Sequence, residues 1–133
     1  MDRMGDVAHH LAVLVEDEQD LGQMLVELMD ELGYEVRYAR TFAEAETHPN
    51  DRPPCVVITD LTLPDAPPDE VVKGLRKKYP TSRILLMSAR PRREVQELAR
   101  DHGADGAIAK PFDLDAFERA LEHACHEPAG APA

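Results

Sequence analysis

The stretch VVITDLTLPD, residues 56–65, decides the fold because it reads as a buried strand that ends in a carboxylate. Apolar or β-branched residues at 56–59 lead directly into Asp60, and Pro64 follows four positions later. A continuous run of this kind is typical of a strand covered on both faces of a parallel sheet. A lone aspartate at a strand end is most often a turn residue or a helix cap. Its meaning therefore depends on what the rest of the chain places beside it.

Apolar runs alternate with helical patterns on both sides of this stretch. Strands are predicted at 11–15, 35–39, 55–60, 83–89 and 106–110, and helices follow them near 21–32, 41–48, 69–79, 92–103 and 113–126. The first helical stripe consists of Leu21, Met24, Leu25, Leu28, Met29 and Leu32; the last one places Leu114, Phe117, Leu121 and Ala124 inward. Thr41 is the expected cap of the second helix. Five strand–helix units predict an α/β fold, a three-layer, doubly wound, parallel five-stranded sheet.

Length and charge restrict the function. A chain of 133 residues suits one domain, predicted over 1–126 with a flexible tail at 127–133. The net charge of −11 argues against direct binding to nucleic acid. No apolar run approaches the roughly 18 residues that a membrane helix needs, and the N-terminus lacks a secretory signal pattern. We therefore expect a cytoplasmic protein without a membrane partner.

The two cysteines, Cys55 and Cys125, lack metal-ligand spacing. Because disulfides are rare in the cytosol, we expect two reduced structural thiols, with Cys55 as a small core residue.

Polar side chains stand at the carboxyl ends of four predicted strands: Glu16 and Asp17, Asp60, Ser88, and Lys110. Parallel doubly wound sheets bind ligands at this edge. Two carboxylates about 5 Å apart repel by roughly 3 kcal/mol at an effective dielectric near 20. Such a cluster either takes up a proton or binds a hard divalent cation such as Mg²⁺. A nucleophile, a metal pocket, an ammonium and a hydroxyl are the parts needed to transfer a phosphoryl group onto a carboxylate.

The chain resembles the receiver domains of two-component response regulators over residues 10–126. The likeness rests on LVEDE at 14–18, ITDLTLPD at 58–65, LLMSA at 85–89 and AKPF at 109–112. It implies the flavodoxin-like strand order 2-1-3-4-5. It also implies a signalling switch, not a turnover enzyme, that catalyses its own phosphorylation by a histidine kinase or phosphotransfer protein and its own dephosphorylation.

The resemblance assigns roles to particular residues. Asp60 would be the phosphoacceptor and a Mg²⁺ ligand, together with Asp17 directly and Glu16 through water. The main-chain carbonyl of Thr62 would complete the protein ligands. Lys110 would pair with the phosphoryl group, and the hydroxyl of Ser88 would move to bind it.

Some positions depart from the family pattern. Ala107 stands where an aromatic switch residue is usual, so a rotating ring cannot report the state of Asp60. Pro68 lies near a common glycine position and stiffens the loop together with Pro64 and Pro67.

Two other functions stay open at this stage. The departures above favour a docking or dimerisation module that works without phosphorylation. An aspartate-nucleophile phosphatase is disfavoured, because Thr62 stands where a general acid would be needed. The face built by residues 90–126 is the expected surface for a downstream partner or a second copy. Its arginines, at 90, 92, 93 and 100, either meet an acidic partner or simply form a solvated helix face.

Overall fold

A computed structural model describes residues 10–126 of the chain. Strands and helices alternate along this segment. The strands are β1 (His10–Val15), β2 (Tyr34–Ala39), β3 (Val56–Asp60), β4 (Arg83–Ser88) and β5 (Gly106–Ala109). The helices are α1 (Gln19–Glu31), α2 (Phe42–Thr47), α3 (Pro68–Lys78), α4 (Arg92–His102) and α5 (Leu114–His126). The predicted tail at 127–133 lies outside the described residues.

The five strands form one parallel sheet in the order β2-β1-β3-β4-β5, which confirms the predicted fold class. The chain leaves β1 for one edge and then crosses back to β3, so the strand order reverses beside β1. In the register, Val15 of β1 lies opposite Thr59 of β3. The tips of β1 and β3 are therefore neighbours, as the sequence predicted.

Helices cover both faces of the sheet. One apolar cluster joins the sheet to α2, α3 and α4, through Phe42, Leu75 and Val95 among others. The other joins it to α1 and α5, through residues such as Met29 and Phe117. Because both faces are covered, β1 and β3 are almost wholly buried, and the residues before their carboxyl ends are mostly apolar.

Local signals set the helix ends. The hydroxyl of Thr41 accepts a hydrogen bond from the Glu44 N–H at 3.0 Å, which confirms the predicted cap of α2. Pro68 occupies the first turn of α3, where its missing N–H costs nothing. Gly103 ends α4 with a φ of 83°, a conformation that glycine adopts without strain.

Two predicted core positions are wrong. Met24 is 43% exposed and Leu114 is 41% exposed. Met24 is adjacent to the buried Leu25 and therefore points about 100° away from it around α1. Leu114 is the first residue of α5, whereas Phe117, Leu121 and Ala124 are buried as expected.

The prediction of two reduced thiols is also wrong for this structure: Cys55 and Cys125 form a disulfide. Cys55 lies just before β3 and Cys125 lies in the last turns of α5, with their Cα atoms 5.8 Å apart. Both residues are half-buried at the edge of the cluster under α1 and α5. The prediction rested on the usual redox state of a compartment, which carries no information about this distance.

Within residues 10–126, no helix is both long enough and apolar enough to cross a bilayer.

Candidate functional site

Three of the predicted site residues meet at the carboxyl edge of the sheet. Glu16 follows β1, Asp60 ends β3, and Lys110 follows β5. The ammonium nitrogen of Lys110 lies 3.0 Å from Oε1 of Glu16 and 3.3 Å from Oδ2 of Asp60. Two carboxylates thus share one cation, which leaves a formal excess of one negative charge when both are ionised.

Burial strengthens the electrostatic coupling within this group. Glu16 is only 1% exposed, and burial raises its pKa, with the charge of Asp60 acting in the same direction. The Glu18 N–H, which donates to Oε2 of Glu16 at 2.9 Å, and the Lys110 ammonium both oppose this rise. Burial alone would lower the pKa of Lys110, but the hydrogen bond to Glu16 and the charge of Asp60 outweigh it and raise that pKa.

The carboxylate of Asp60 is held in one orientation. Its Oδ1 atom accepts a hydrogen bond from the Thr62 N–H at 3.1 Å, while Oδ2 faces Lys110. The next residue, Leu61, donates its N–H to the carbonyl of Met87 in β4 at 3.1 Å. The side chain of Asp60 is 9% exposed, so it is sheltered but not sealed from solvent.

Ser88 stands at the end of β4 and is buried. Its hydroxyl oxygen accepts a hydrogen bond from the Arg90 N–H at 2.9 Å, and its carbonyl accepts one from the Lys110 N–H at 2.9 Å. Among the hydrogen bonds of residues 10–126, none joins Ser88 to Asp60. The structure therefore ties Ser88 to Lys110 through the main chain, and the described residues offer no acceptor to the Ser88 hydroxyl hydrogen. The peptide bond that follows Lys110, to Pro111, is cis.

The oxygen ligands expected for Mg²⁺ fit a hard cation, although they do not form a dense cluster. Asp17 is exposed, and its side chain makes no hydrogen bond or ion pair within the described residues. Its carboxylate is therefore available, as is the remaining capacity of the Asp60 oxygens. Across residues 10–126, no group of three or more His, Cys, Asp or Glu side chains is placed to hold a metal. Mg²⁺ needs one or two carboxylates and keeps several waters, so this sparse set suits it.

Sequence reasoning missed a contribution from β2. The hydroxyl of Tyr38 donates to the carbonyl of Glu16 at 3.0 Å, and the Arg40 guanidinium donates to the carbonyl of Asp17 at 3.4 Å. Both bonds fix the main chain of the acidic loop after β1. Gly22, buried within α1, is the one signal that could have revealed Tyr38, because any side chain there would collide with the tyrosine ring.

A cleft of about 580 Å³ opens beside Ser88, between α4 and β5. Its lining includes Arg90 and Arg92, Val95 from the helix, and Ala107 from the strand. The small side chain at position 107 is exposed and leaves this space unfilled.

The fold and the site define a doubly wound α/β domain that carries a buried carboxylate–lysine group at the carboxyl edge of its sheet. The sequence model described as "Response regulator receiver domain" matches residues 12–122. The chain belongs to this family of two-component response regulators, as the sequence motifs indicated.

The chain is similar to curated regulatory proteins that are longer than it is. The transcriptional regulatory protein KdpE of Mycobacterium tuberculosis is 36% identical over 107 residues, which cover 80% of this chain and 47% of that protein. The photosynthetic apparatus regulatory protein RegA of Cereibacter sphaeroides is 28% identical over 109 residues, 82% of this chain and 59% of that protein. The chain thus spans about half the length of these relatives.

Solved receiver structures share the whole fold. The non-phosphorylated HemR receiver domain of Leptospira biflexa superposes with a TM-score of 0.82 at 29% identity, covering 92% of this chain and 98% of that one. Chemotaxis response regulator CheY4 of Vibrio cholerae gives a TM-score of 0.77 at 26% identity, with 86% and 97% covered.

Proposed function

We propose that the chain is a phosphoacceptor switch in which Asp60 receives a phosphoryl group from a histidine kinase or a phosphotransfer protein. The observation that supports this most directly is the geometry around Asp60. A sheltered carboxylate with one oxygen held by a main-chain N–H and the other beside a lysine ammonium is an oriented nucleophile with its countercharge in place. Family membership supports the same function.

The residues of the chain supply positioning and charge. A carboxylate oxygen of Asp60 attacks the phosphorus, the bond from phosphorus to the donor nitrogen breaks, and an acyl phosphate forms on Asp60. Lys110 faces the attacking carboxylate and offers positive charge to the phosphoryl oxygens. The hydroxyl of Ser88, at the end of β4, would move to donate to the same oxygens. Thr62 and Tyr38 contribute by holding the loops after β3 and β1.

We also propose that the reaction depends on Mg²⁺. Asp17, Asp60 and the Thr62 carbonyl are the ligands that this chain offers, with Glu16 acting through water. When bound, Mg²⁺ supplies positive charge to the phosphoryl oxygens. The excess negative charge left by two carboxylates and one ammonium favours such a cation at this edge.

The direct test is phosphorylation by a small phosphodonor. The protein is incubated with acetyl phosphate and Mg²⁺, and the intact mass is measured with and without EDTA. We expect the mass of one phosphoryl group to be added only in the presence of Mg²⁺. Asp60→Asn should gain none, whereas Asp65→Asn, a matched change in the same loop, should still react. Equal labelling of Asp60→Asn would show that this residue is not the acceptor.

Two further measurements separate a switch from the two other functions. A docking module that ignores phosphorylation would bind its partner equally well with and without beryllofluoride, a phosphoryl mimic. A phosphatase would release phosphate repeatedly from a small ester. We expect neither result, since we propose a switch that forms and hydrolyses its own acyl phosphate.

For the output surface, we propose the face built by residues 90–126. It contains the open cleft beside Ser88, the basic start of α4 and the exposed Leu114. An acidic downstream partner or the acidic α5 of a second copy would complement Arg92 and Arg93. Light scattering with and without beryllofluoride tests for a dimer. The Arg92→Glu/Arg93→Glu variant should lose any association, and unchanged association would exclude this face.

A further inference from the structure

The Cys55–Cys125 disulfide joins one rigid element to one helix end. The main chain of Cys55 is fixed between two strands, since its N–H donates to the carbonyl of Leu11 at 2.8 Å and its carbonyl accepts from the Arg83 N–H at 3.3 Å. Cys125 lies in the last turns of α5. The bond therefore attaches the end of α5 to the sheet.

The backbone geometry suits both states of the pair. A Cα–Cα distance of 5.8 Å lies in the range where a disulfide forms without backbone movement. With the bond open, α5 is still held by the buried Phe117, Leu121 and Ala124. We therefore expect the reduced protein to stay folded.

Neither cysteine is wholly enclosed by the protein. Cys55 and Cys125 are both half-buried, and they border the apolar cluster instead of lying within it. A cysteine that is wholly enclosed would be inert, whereas a partly exposed one can exchange with a small thiol.

We propose that Cys55 and Cys125 form a reversible oxidation site that controls how firmly the last turns of α5 are held on the sheet. The oxidant belongs to the class of low-molecular-weight disulfides, such as oxidised glutathione. One protein thiolate attacks the small disulfide and releases one small thiol, and the second protein thiolate then displaces the other. Two protein thiols and one small disulfide thus become one protein disulfide and two small thiols.

This site is separate from the phosphoacceptor. Cys55 precedes β3 and Asp60 ends it, so the two residues lie at opposite ends of one strand. The oxidation state acts on the end of α5, whereas phosphorylation acts at the carboxyl edge of the sheet. A redox signal would therefore be a second input to the same domain.

The experiment is a redox titration of the purified protein in buffers of reduced and oxidised glutathione. Free thiols are alkylated at each ratio and counted by intact mass. We expect a reversible change between two free thiols and none, in monomeric protein, at intermediate ratios. Hydrogen exchange should show the amides of the last turns of α5 at least tenfold less protected in the reduced form, and the melting temperature should fall by about 5–15 °C.

The single variants Cys55→Ser and Cys125→Ser provide the control for altered packing. Each is measured under the same oxidising and reducing conditions as the wild type. The remaining thiol should gain at most one glutathione by mass, and neither variant should show the redox-dependent change in exchange at the end of α5. Asp60→Asn should retain the full redox response, which keeps this test independent of the phosphorylation proposal.

Four results would overturn the proposal. The thiols could remain free at the most oxidising ratio, or the bond could survive excess glutathione in the native protein, which would make it a permanent cross-link. Disulfide-linked dimers would show that the pairing is intermolecular. A reversible bond that changes neither the exchange of α5 nor the melting temperature would show that it controls nothing.

Discussion

The ammonium of Lys110 donates to Oε1 of Glu16 at 3.0 Å, across 94 positions of sequence. Glu16 is more completely buried than Asp60, the other carboxylate that the same ammonium contacts. Lys110 is therefore a structural counterion as well as a site residue. Its removal should be felt in stability even when no phosphoryl group is present.

Lys110→Met should lower the free energy of unfolding by about 3 kcal/mol at neutral pH, because it leaves buried carboxylates without a cation. In the wild type, Lys110 lowers the pKa of Glu16. Loss of Lys110 therefore raises the pKa of Glu16 further above the unfolded value of 4.5. The native variant then binds more protons than the unfolded chain, and its stability falls as pH rises through the native pKa. Urea unfolding in EDTA between pH 5 and 8 measures both effects.

The double variant Lys110→Met/Glu16→Gln is the matched control. With Glu16 neutral, at least half of the lost stability should return and most of the added pH dependence should disappear. A double variant as unstable as the single one would show that Glu16 and Lys110 are not coupled.

Gly22→Ala should destabilise the protein, although alanine favours helices by about 1 kcal/mol over glycine. A Cβ atom at this position of α1 would collide with the Tyr38 ring and its hydroxyl. Displacing the ring breaks its bond to the Glu16 carbonyl, with an expected loss of about 1–3 kcal/mol. In a Tyr38→Ala background the same change should become neutral or stabilising. Thermal unfolding of the four proteins in this cycle would show whether the sign reverses.

Arg76 should be hard to replace, even by lysine. Its guanidinium ties the end of α3 to the end of α4 and the start of β4. It donates to the carbonyls of Gly103, Tyr79, Pro80 and Ser82 and to the carboxylate of Asp105. A lysine ammonium cannot span these acceptors, so Arg76→Lys should cost about 2 kcal/mol. Chemical denaturation measures this loss.

Arg100→Lys is the matched control, because it makes the same change from arginine to lysine at an exposed position. Arg100 is 71% exposed and meets Asp101 at 3.7 Å, so its replacement should stay within about 0.5 kcal/mol of the wild type. Equal losses for the two variants would mean that the Arg76 contacts contribute nothing specific.

Asp65→Ala should reduce stability by about 1 kcal/mol at neutral pH, because Asp65 caps α2 from a distant loop. Its two oxygens accept from the N–H groups of Phe42 and Ala43 at 3.0 and 2.8 Å. The bond from Ala43, followed by that from Phe42, lowers the pKa of Asp65 below its usual 3.8. The stability that Asp65 contributes is therefore present above pH 3.8 and is lost as pH falls through the lowered value. Unfolding curves of wild type and variant should differ at pH 6 and converge near pH 2; a constant difference would contradict this.

Much of the site follows from the sequence because the fold follows from it. Continuous apolar runs predict buried parallel strands, and parallel strands bring their carboxyl ends to one edge. This arrangement of the strands is enough to bring Glu16, Asp60 and Lys110 together. The direct bond between Glu16 and Lys110 is a finer detail, since both side chains were expected to serve a metal or a phosphoryl group.

The features that the sequence did not predict are contacts between residues far apart in the chain, which no local sequence pattern encodes. In the sequence, Tyr38 is simply one residue of a predicted strand. Only the structure shows that its hydroxyl contacts the loop after β1. The pairing of Cys55 with Cys125 requires two residues 70 positions apart to approach within 5.8 Å between their Cα atoms. No periodicity or local composition encodes such approaches.

The loop after β3 is anchored at both ends by aspartates. At the start of the loop, Asp60 accepts a hydrogen bond from the Thr62 N–H, and a β-bridge joins Leu63 to Ala66. At its end, Asp65 accepts hydrogen bonds from the first N–H groups of α2. On the loop itself, these contacts fall within the seven residues from Asp60 to Ala66. A charge added to Asp60 would compete for the hydrogen bond from the Thr62 N–H. Because the loop is short and rich in proline, we expect it to adjust little without moving α2. We therefore expect a change at the acceptor to be felt at α2, which packs on the same face of the sheet as α4 but towards the opposite edge from the cleft.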